Sequence, residues 1–166
     1  MRKYLILVSI FLACLSSSSQ INEEYNLQIA SKSVINWLNN LNTTNYAGCY
    51  EEMSLKIKSK VDSLVWIDMA TQELMTFGEF NGRKEISRKF AINPLVFDER
   101  LIGFPDGYYV VFVFSSNYNN WDLSKDHIET LFLHQDYKSR WRILEYSYSF
   151  TFKDDVEDNY NDLLPE

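Results

Sequence analysis

Along the chain, apolar residues recur first at helical spacing and then at strand spacing. Leu27, Ala30, Val34, Trp37, Leu38 and Leu41 fall on one face of a helix of about five turns. Asn42-Thr43-Thr44-Asn45 interrupts that pattern, and Thr43 or Thr44 can cap the next helix. Tyr46, Tyr50, Met53 and Ile57 mark a second helical face. Trp66, Ala70, Leu74 and Phe77 mark a third, opened by Asp62-Ser63 and closed by Gly78 in a left-handed conformation. The remainder predicts strands at 83–97, 108–116, 126–135 and 140–152, the first interrupted by Asn93-Pro94, where proline suits an edge or a bulge. Pro105-Asp106-Gly107 is a turn in which the glycine is expected to take a positive φ. Helices first and a four-strand meander afterwards make the fold class α+β.

The stretch FPDGYYVVFVFSS, residues 104–116, breaks the usual alternation. Tyr109, Val111 and Val113 point one way and Tyr108, Val110, Phe112 and Phe114 the other, so both faces are apolar. Each large side chain left in water forgoes about 1.5–3 kcal/mol, so both faces call for cover. One layer of helices covers one face. The other is expected to line a cavity or meet a second subunit of a homodimer, or else to be wrapped by the long first helix and the C-terminal tail.

The first twenty residues add a compartment. Met1-Arg2-Lys3 is basic, Tyr4 to Cys14 is an apolar run, and Ser16 to Gln20 is small and polar. That layout predicts a secretory signal, too short for a membrane span. Two processing routes fit. In one, Phe11-Leu12-Ala13-Cys14 is a lipobox and Cys14 carries a lipid anchor; in the other, cleavage falls near Ser19. On either route the protein is exported, to the periplasm or cell envelope, and any membrane contact runs through Cys14.

Without residues 1–20 of the 166, 146 remain, and losing Arg2 and Lys3 takes the formal charge from −7 to −9. A domain of that length buries about two-thirds of its unfolded surface and needs no staples. The organisation expected is a leader (1–20), one α+β domain (21–152) and an acidic tail (153–166). An acidic chain lacks the basic footprint that nucleic-acid binding requires. Cys49 has no second cysteine in the mature chain and sits beside Tyr46, Tyr50 and Met53, as a buried small hydrophobe would.

Few residues offer chemistry. His127 and His134 are seven apart on one strand, on opposite faces and roughly 23 Å apart, so they cannot share a metal. In the tail, Asp155, Glu157, Asn159, Asn161 and Glu166 match positions of a calcium loop, but Tyr160 stands where glycine is needed. A solvated acidic tail fits better, and neither a metal nor a cofactor is expected. Tyr118 and Trp121 lie in the polar loop SNYNNWDLSKD, where exposed aromatics could stack on a sugar or grip a protein.

Several short features occur in a characteristic order. Trp37-Leu38 is followed by Asn45-Tyr46, Trp66, Gly78 and Arg83, then Pro105-Asp106-Gly107 with Tyr109 and a valine-rich strand. Glu129-Thr130 and Trp141-Arg142 with Tyr146 complete it. In this order the chain resembles the bacterial domain-of-unknown-function family 4019 over roughly residues 27–150. It departs from that pattern in its acidic tail and in Tyr137-Lys138-Ser139 before the last tryptophan. The resemblance implies helices packed on a curved four-stranded antiparallel sheet, the cystatin-like cone of the nuclear transport factor 2-like superfamily, and it implies no reaction.

In the ketosteroid-isomerase branch of that superfamily, a carboxylate base faces a tyrosine donor in a dry pocket. Glu129 is the candidate here because it can face inward, while Glu145 is expected to share a face with Trp141, Ile143 and Ser147. Strand glutamates also pair with cations, and Arg83 and Arg142 are in reach of such a role. The expectation is therefore a non-catalytic envelope module binding a small apolar ligand or a protein partner. Its candidate contacts are Tyr108, Phe112, Phe114, Tyr118, Trp121 and Glu129. The alternatives are a small cavity enzyme and a lipid-anchored structural accessory.

Overall fold

The computed structural model describes residues 23–152 except 98, 100, 101, 123 and 124. The leader, Cys14 and the acidic tail lie outside the described residues. Helix α1, residues 23–42, buries Leu27, Ala30, Val34, Trp37, Leu38 and Leu41, the stripe its periodicity predicts. The next helix starts one residue later than the threonines suggest. Asn45 caps α2, Tyr46–Glu51, by accepting from the Gly48 N–H, while Thr44 takes a φ of 58°.

The face expected to continue from Tyr46 to Ile57 is broken in the middle. Met53 forms a parallel bridge to Ile143; Ser54 donates its N–H to the Ile143 carbonyl at 2.8 Å, and Ile143 returns one to Glu52 at 3.1 Å. With its backbone taken by the sheet, Ser54 restarts the chain as the cap of α3, Leu55–Lys58. Asp62 caps α4, Ser63–Leu74, and a 3-10 turn, Met75–Phe77, ends at Gly78 with a φ of 78°, as expected. A Cβ there would lie 2.8 Å from the Asn120 side chain, so glycine also lets the loop bearing Asn120 close on this helix end.

Four strands, β1 Phe80–Ala91, β2 Tyr109–Tyr118, β3 Lys125–Gln135 and β4 Trp141–Phe152, form one antiparallel sheet in sequential order. The first strand is shorter than its pattern implied. It stops at Ala91, and Pro94–Val96 is a 3-10 turn rather than strand. A second correction concerns Gly107, whose φ is not positive; the left-handed glycine of this connection is Gly103, at 85°.

Bulges change which residues share a face. In β4, Leu133 pairs with Ile143 but Phe132 pairs with Glu145, so Leu144 is an extra residue. Trp141 and Ile143 join the helix-side core before it and Tyr146 after it. Glu145 thus lies opposite Phe132 and does not share the face of Trp141 and Ile143, correcting the simple alternation.

The two faces of β2 are both covered, by different means. Val110, Phe112 and Phe114 meet the helices in the main core. Tyr109, Val111 and Leu144 are buried on the other face, where Phe97, Phe104 and Phe132 complete a second cluster. The β1–β2 connection supplies that cover: Tyr109 donates its hydroxyl to the Pro105 carbonyl at 2.7 Å, and Gly107 closes onto the Ile92 carbonyl at 3.0 Å. Lys56 reaches over the Phe104 ring at 3.0 Å. The chain's own β1–β2 loop thus supplies cover for this face.

Candidate functional site

At the hairpin end of the helix-side face, the sheet carries a buried polar cluster. Glu129, on β3, is fully excluded from solvent, and the Arg83 side chain, on β1, is 8% exposed. The register explains the meeting: Arg83 pairs with Ser116 on β2, and Phe114 pairs with Glu129. Arg83 donates through Nε and Nη2 to the two carboxylate oxygens, the latter at 2.9 Å. Tyr146 donates at 2.7 Å, Tyr118 at 3.2 Å, and Ser116 also donates to Glu129. Asn42 at the end of α1 accepts from Arg83 Nη2 at 3.4 Å.

Burial and the Glu129 charge shift the groups around it. Burial lowers the Arg83 guanidinium, but the hydrogen bonds and charge of Glu129 outweigh it and hold Arg83 above its ordinary value. Burial first, and then the Glu129 charge, push the Tyr118 and Tyr146 phenols well above theirs. Both phenols therefore stay protonated as donors. A carboxylate has about four lone-pair sites, and five donors from four side chains converge on this one.

Beside the cluster lies an open feature. Between α4 and β4 runs a groove of about 480 Å³, lined by Met53, Trp66, Met69, Ala70, Glu73, Leu74 and Tyr146 to Tyr148. Successive strand residues point to opposite faces, so a hollow touching Tyr146, Ser147 and Tyr148 reaches the strand's edge. Glu73 accepts from the Tyr148 hydroxyl at 2.9 Å and spans the groove. Helix α4 buries only Ala70 fully and leaves Leu64, Val65 and Met69 more than half exposed.

Among the described strands β4 lies at the edge of the sheet, paired with β3 along its length and bridged on its outer side at Ile143. Ile143 turns its N–H and C=O outward to Ser54 and Glu52. Alternation along unbulged β3 gives Tyr146 and Tyr148 the same outward orientation. Among the described residues, the only bridge on that outer side is the one from Met53.

The residues singled out in sequence divide between these regions. Glu129 and Tyr118 join the cluster. Phe112 and Phe114 are buried in the helix-side core, and Tyr108 is half-buried against Phe90 at 5.4 Å. The expectation of an exposed aromatic tip is corrected. Phe77 holds Tyr118, Trp121 and Tyr148 edge-on at 5.3, 4.8 and 4.7 Å, and Trp121 stacks on His127 at 4.1 Å. The helix end captures the hairpin because Asn120 bonds the Phe77 and Thr76 carbonyls. Cys14 lies outside the described residues. Cys49 is fully buried, and burial pushes its thiol up to about 12.

Tyr146 and Ser116, and the groove residues Met69 and Glu73, escaped notice in sequence as parts of a site. Ser116 was legible as the polar continuation of the Phe112–Phe114 face; Tyr146 was masked by the bulge at Leu144. No group of three or more His, Cys, Asp or Glu among the described residues could hold a metal. No described helix is long and apolar enough to cross a membrane.

A family model described as Protein of unknown function (DUF4019) matches residues 33–146. No curated protein and no solved structure matches the chain.

Proposed function

The chain belongs to the DUF4019 family, and from that premise we propose that it is a non-catalytic binding module whose α4–β4 groove receives an extended apolar segment of a partner protein. The observation that carries this is the edge of β4 which, among the described residues, has no strand paired beyond the Met53 bridge and lies beside an apolar wall. Backbone groups of Tyr146 and Tyr148 face outward, and their rings, with Trp66 and Met69, offer hollows for alternate side chains of an added strand. The chain already uses this edge once, at Met53–Ile143. The saturated Glu129 cluster supports the choice of binding over catalysis, since its acid, phenols and guanidinium engage one another.

The layout of residues 1–20 supports a reading in which this module works outside the cytoplasm, in the periplasm or envelope. There it is either soluble or held by a lipid on Cys14. Mass spectrometry of the mature protein from its host distinguishes cleavage near Ser19 from an acylated Cys14.

Panning a displayed-peptide library against the full mature chain and against Met69→Glu tests the groove. Peptides alternating apolar and polar residues should be enriched by the first and lost by the second. Failure to enrich them, or equal capture by the variant, contradicts the proposal. Saturable uptake of an apolar dye without any peptide enrichment would instead favour a small apolar ligand in the same hollow.

A further inference from the structure

A second hollow, of about 520 Å³, lies between α1 and the start of β4, away from the α4 groove, and its lining is cationic. Lys32, Arg140 and Arg142 face it together with a single carboxylate, Glu52. In a chain whose formal charge is −7, this is a local reversal of sign. Ser33, Asn36 and Ser139 add polar groups, and Ile29 and the Trp141 ring add apolar wall.

The two arginines are held in place. Asp136 accepts from Arg140 Nε at 3.1 Å and from Arg142 Nε at 3.4 Å, while Arg142 Nη1 reaches Glu52 at 3.0 Å. Asp136 is itself fixed by the backbone N–H groups of Lys138 at 2.8 Å and Arg140 at 3.0 Å. Each guanidinium has a further nitrogen beyond those bonds, and among the described residues Lys32 makes no ion pair. A second, independent feature sits at the same place: Trp141 is 2% exposed, and among the described residues its buried indole N–H has no hydrogen-bond partner. Trp141 lines the hollow, so a ligand bound there lies against its indole.

We infer that this hollow is a binding site for a small organic carboxylate, with Lys32 and the two arginines holding the carboxylate and Ile29 and Trp141 flanking its apolar body. A single negative charge matches the balance of the lining once Asp136 and Glu52 have offset two of the three cations. The volume exceeds that of an inorganic ion and leaves room for a ring or a short chain.

The test follows the Trp141 indole resonance in ¹H–¹⁵N spectra of the full mature chain, identified by sequential assignment. Benzoate, benzyl alcohol and inorganic phosphate are titrated at constant ionic strength. Benzoate should shift that resonance saturably and benzyl alcohol should not. Lys32→Gln, a change at an exposed position, should weaken benzoate by about tenfold, as loss of one charge-assisted hydrogen bond does, with the melting temperature unchanged. No saturable shift, an equal response to benzyl alcohol, or full affinity in Lys32→Gln overturns the site. A response to phosphate alone overturns the carboxylate as its ligand.

Discussion

The Glu129 cluster and the α4–β4 groove share one residue, Tyr146, and are otherwise opposites. In the cluster, every group capable of acid–base chemistry is turned toward another: a guanidinium, two phenols and a hydroxyl surround one buried carboxylate. In the groove, apolar side chains and strand backbone are turned outward. The difference teaches that ionisable residues gathered on one face do not by themselves make a reactive site. What matters is whether their bonding capacity is already satisfied within the fold. Buried ion pairs are costly to desolvate but costlier to break, so this cluster ties β1, β2, β3 and β4 together, while the groove leaves Met69 exposed.

The largest expected effect comes from breaking the cluster. Glu129→Gln leaves Arg83 buried without its counter-charge and should cost about 3–5 kcal/mol in urea unfolding. A loss below about 1 kcal/mol would show that water reaches the pair. Trp121→Ala removes the ring held by Phe77 and His127 and should cost about 2 kcal/mol. An unchanged melting temperature would restore the exposed tip that the loop composition implied.

A pH dependence separates the regions further. The folded phenols of Tyr118 and Tyr146 lie above the ordinary value of 10.0. Their contribution to stability is therefore full below pH 10 and is lost as pH rises from there through their folded values, because the unfolded chain ionises first. The paired change of Tyr118 and Tyr146 to Phe should flatten that alkaline decline; an unaltered slope would mean these phenols titrate freely. The smallest effect belongs to the groove. Met69 is 57% exposed, so Met69→Glu should change stability by no more than about 0.5 kcal/mol while abolishing capture of apolar peptides.

Much of the fold was legible because burial follows periodicity. The α1 stripe, the Asp62 start of α4, the Gly78 stop and the four-strand meander all follow from local pattern. Three features were not legible, each for a non-local reason. Met53 leaves its helical face because its backbone pairs with a strand ninety residues later. The face of Glu145 is set by one extra residue at Leu144, which alternation counted from either end cannot detect. Trp121 looks exposed in a polar loop, yet Asn120 ties that loop to the end of α4. Glu129 was identifiable as an inward carboxylate, and Arg83 as a possible partner. That five donors would saturate it was not, since the donors come from three other strands.

The claim that binding occurs by strand addition at β4 is tested most directly by amide hydrogen exchange with a groove-selected peptide present and absent. The amides of Tyr146 and Tyr148 should gain protection on binding, while those along β1, the opposite edge, stay unchanged. Protection confined to β1, or none at Tyr146 and Tyr148 when the peptide is bound, would contradict it.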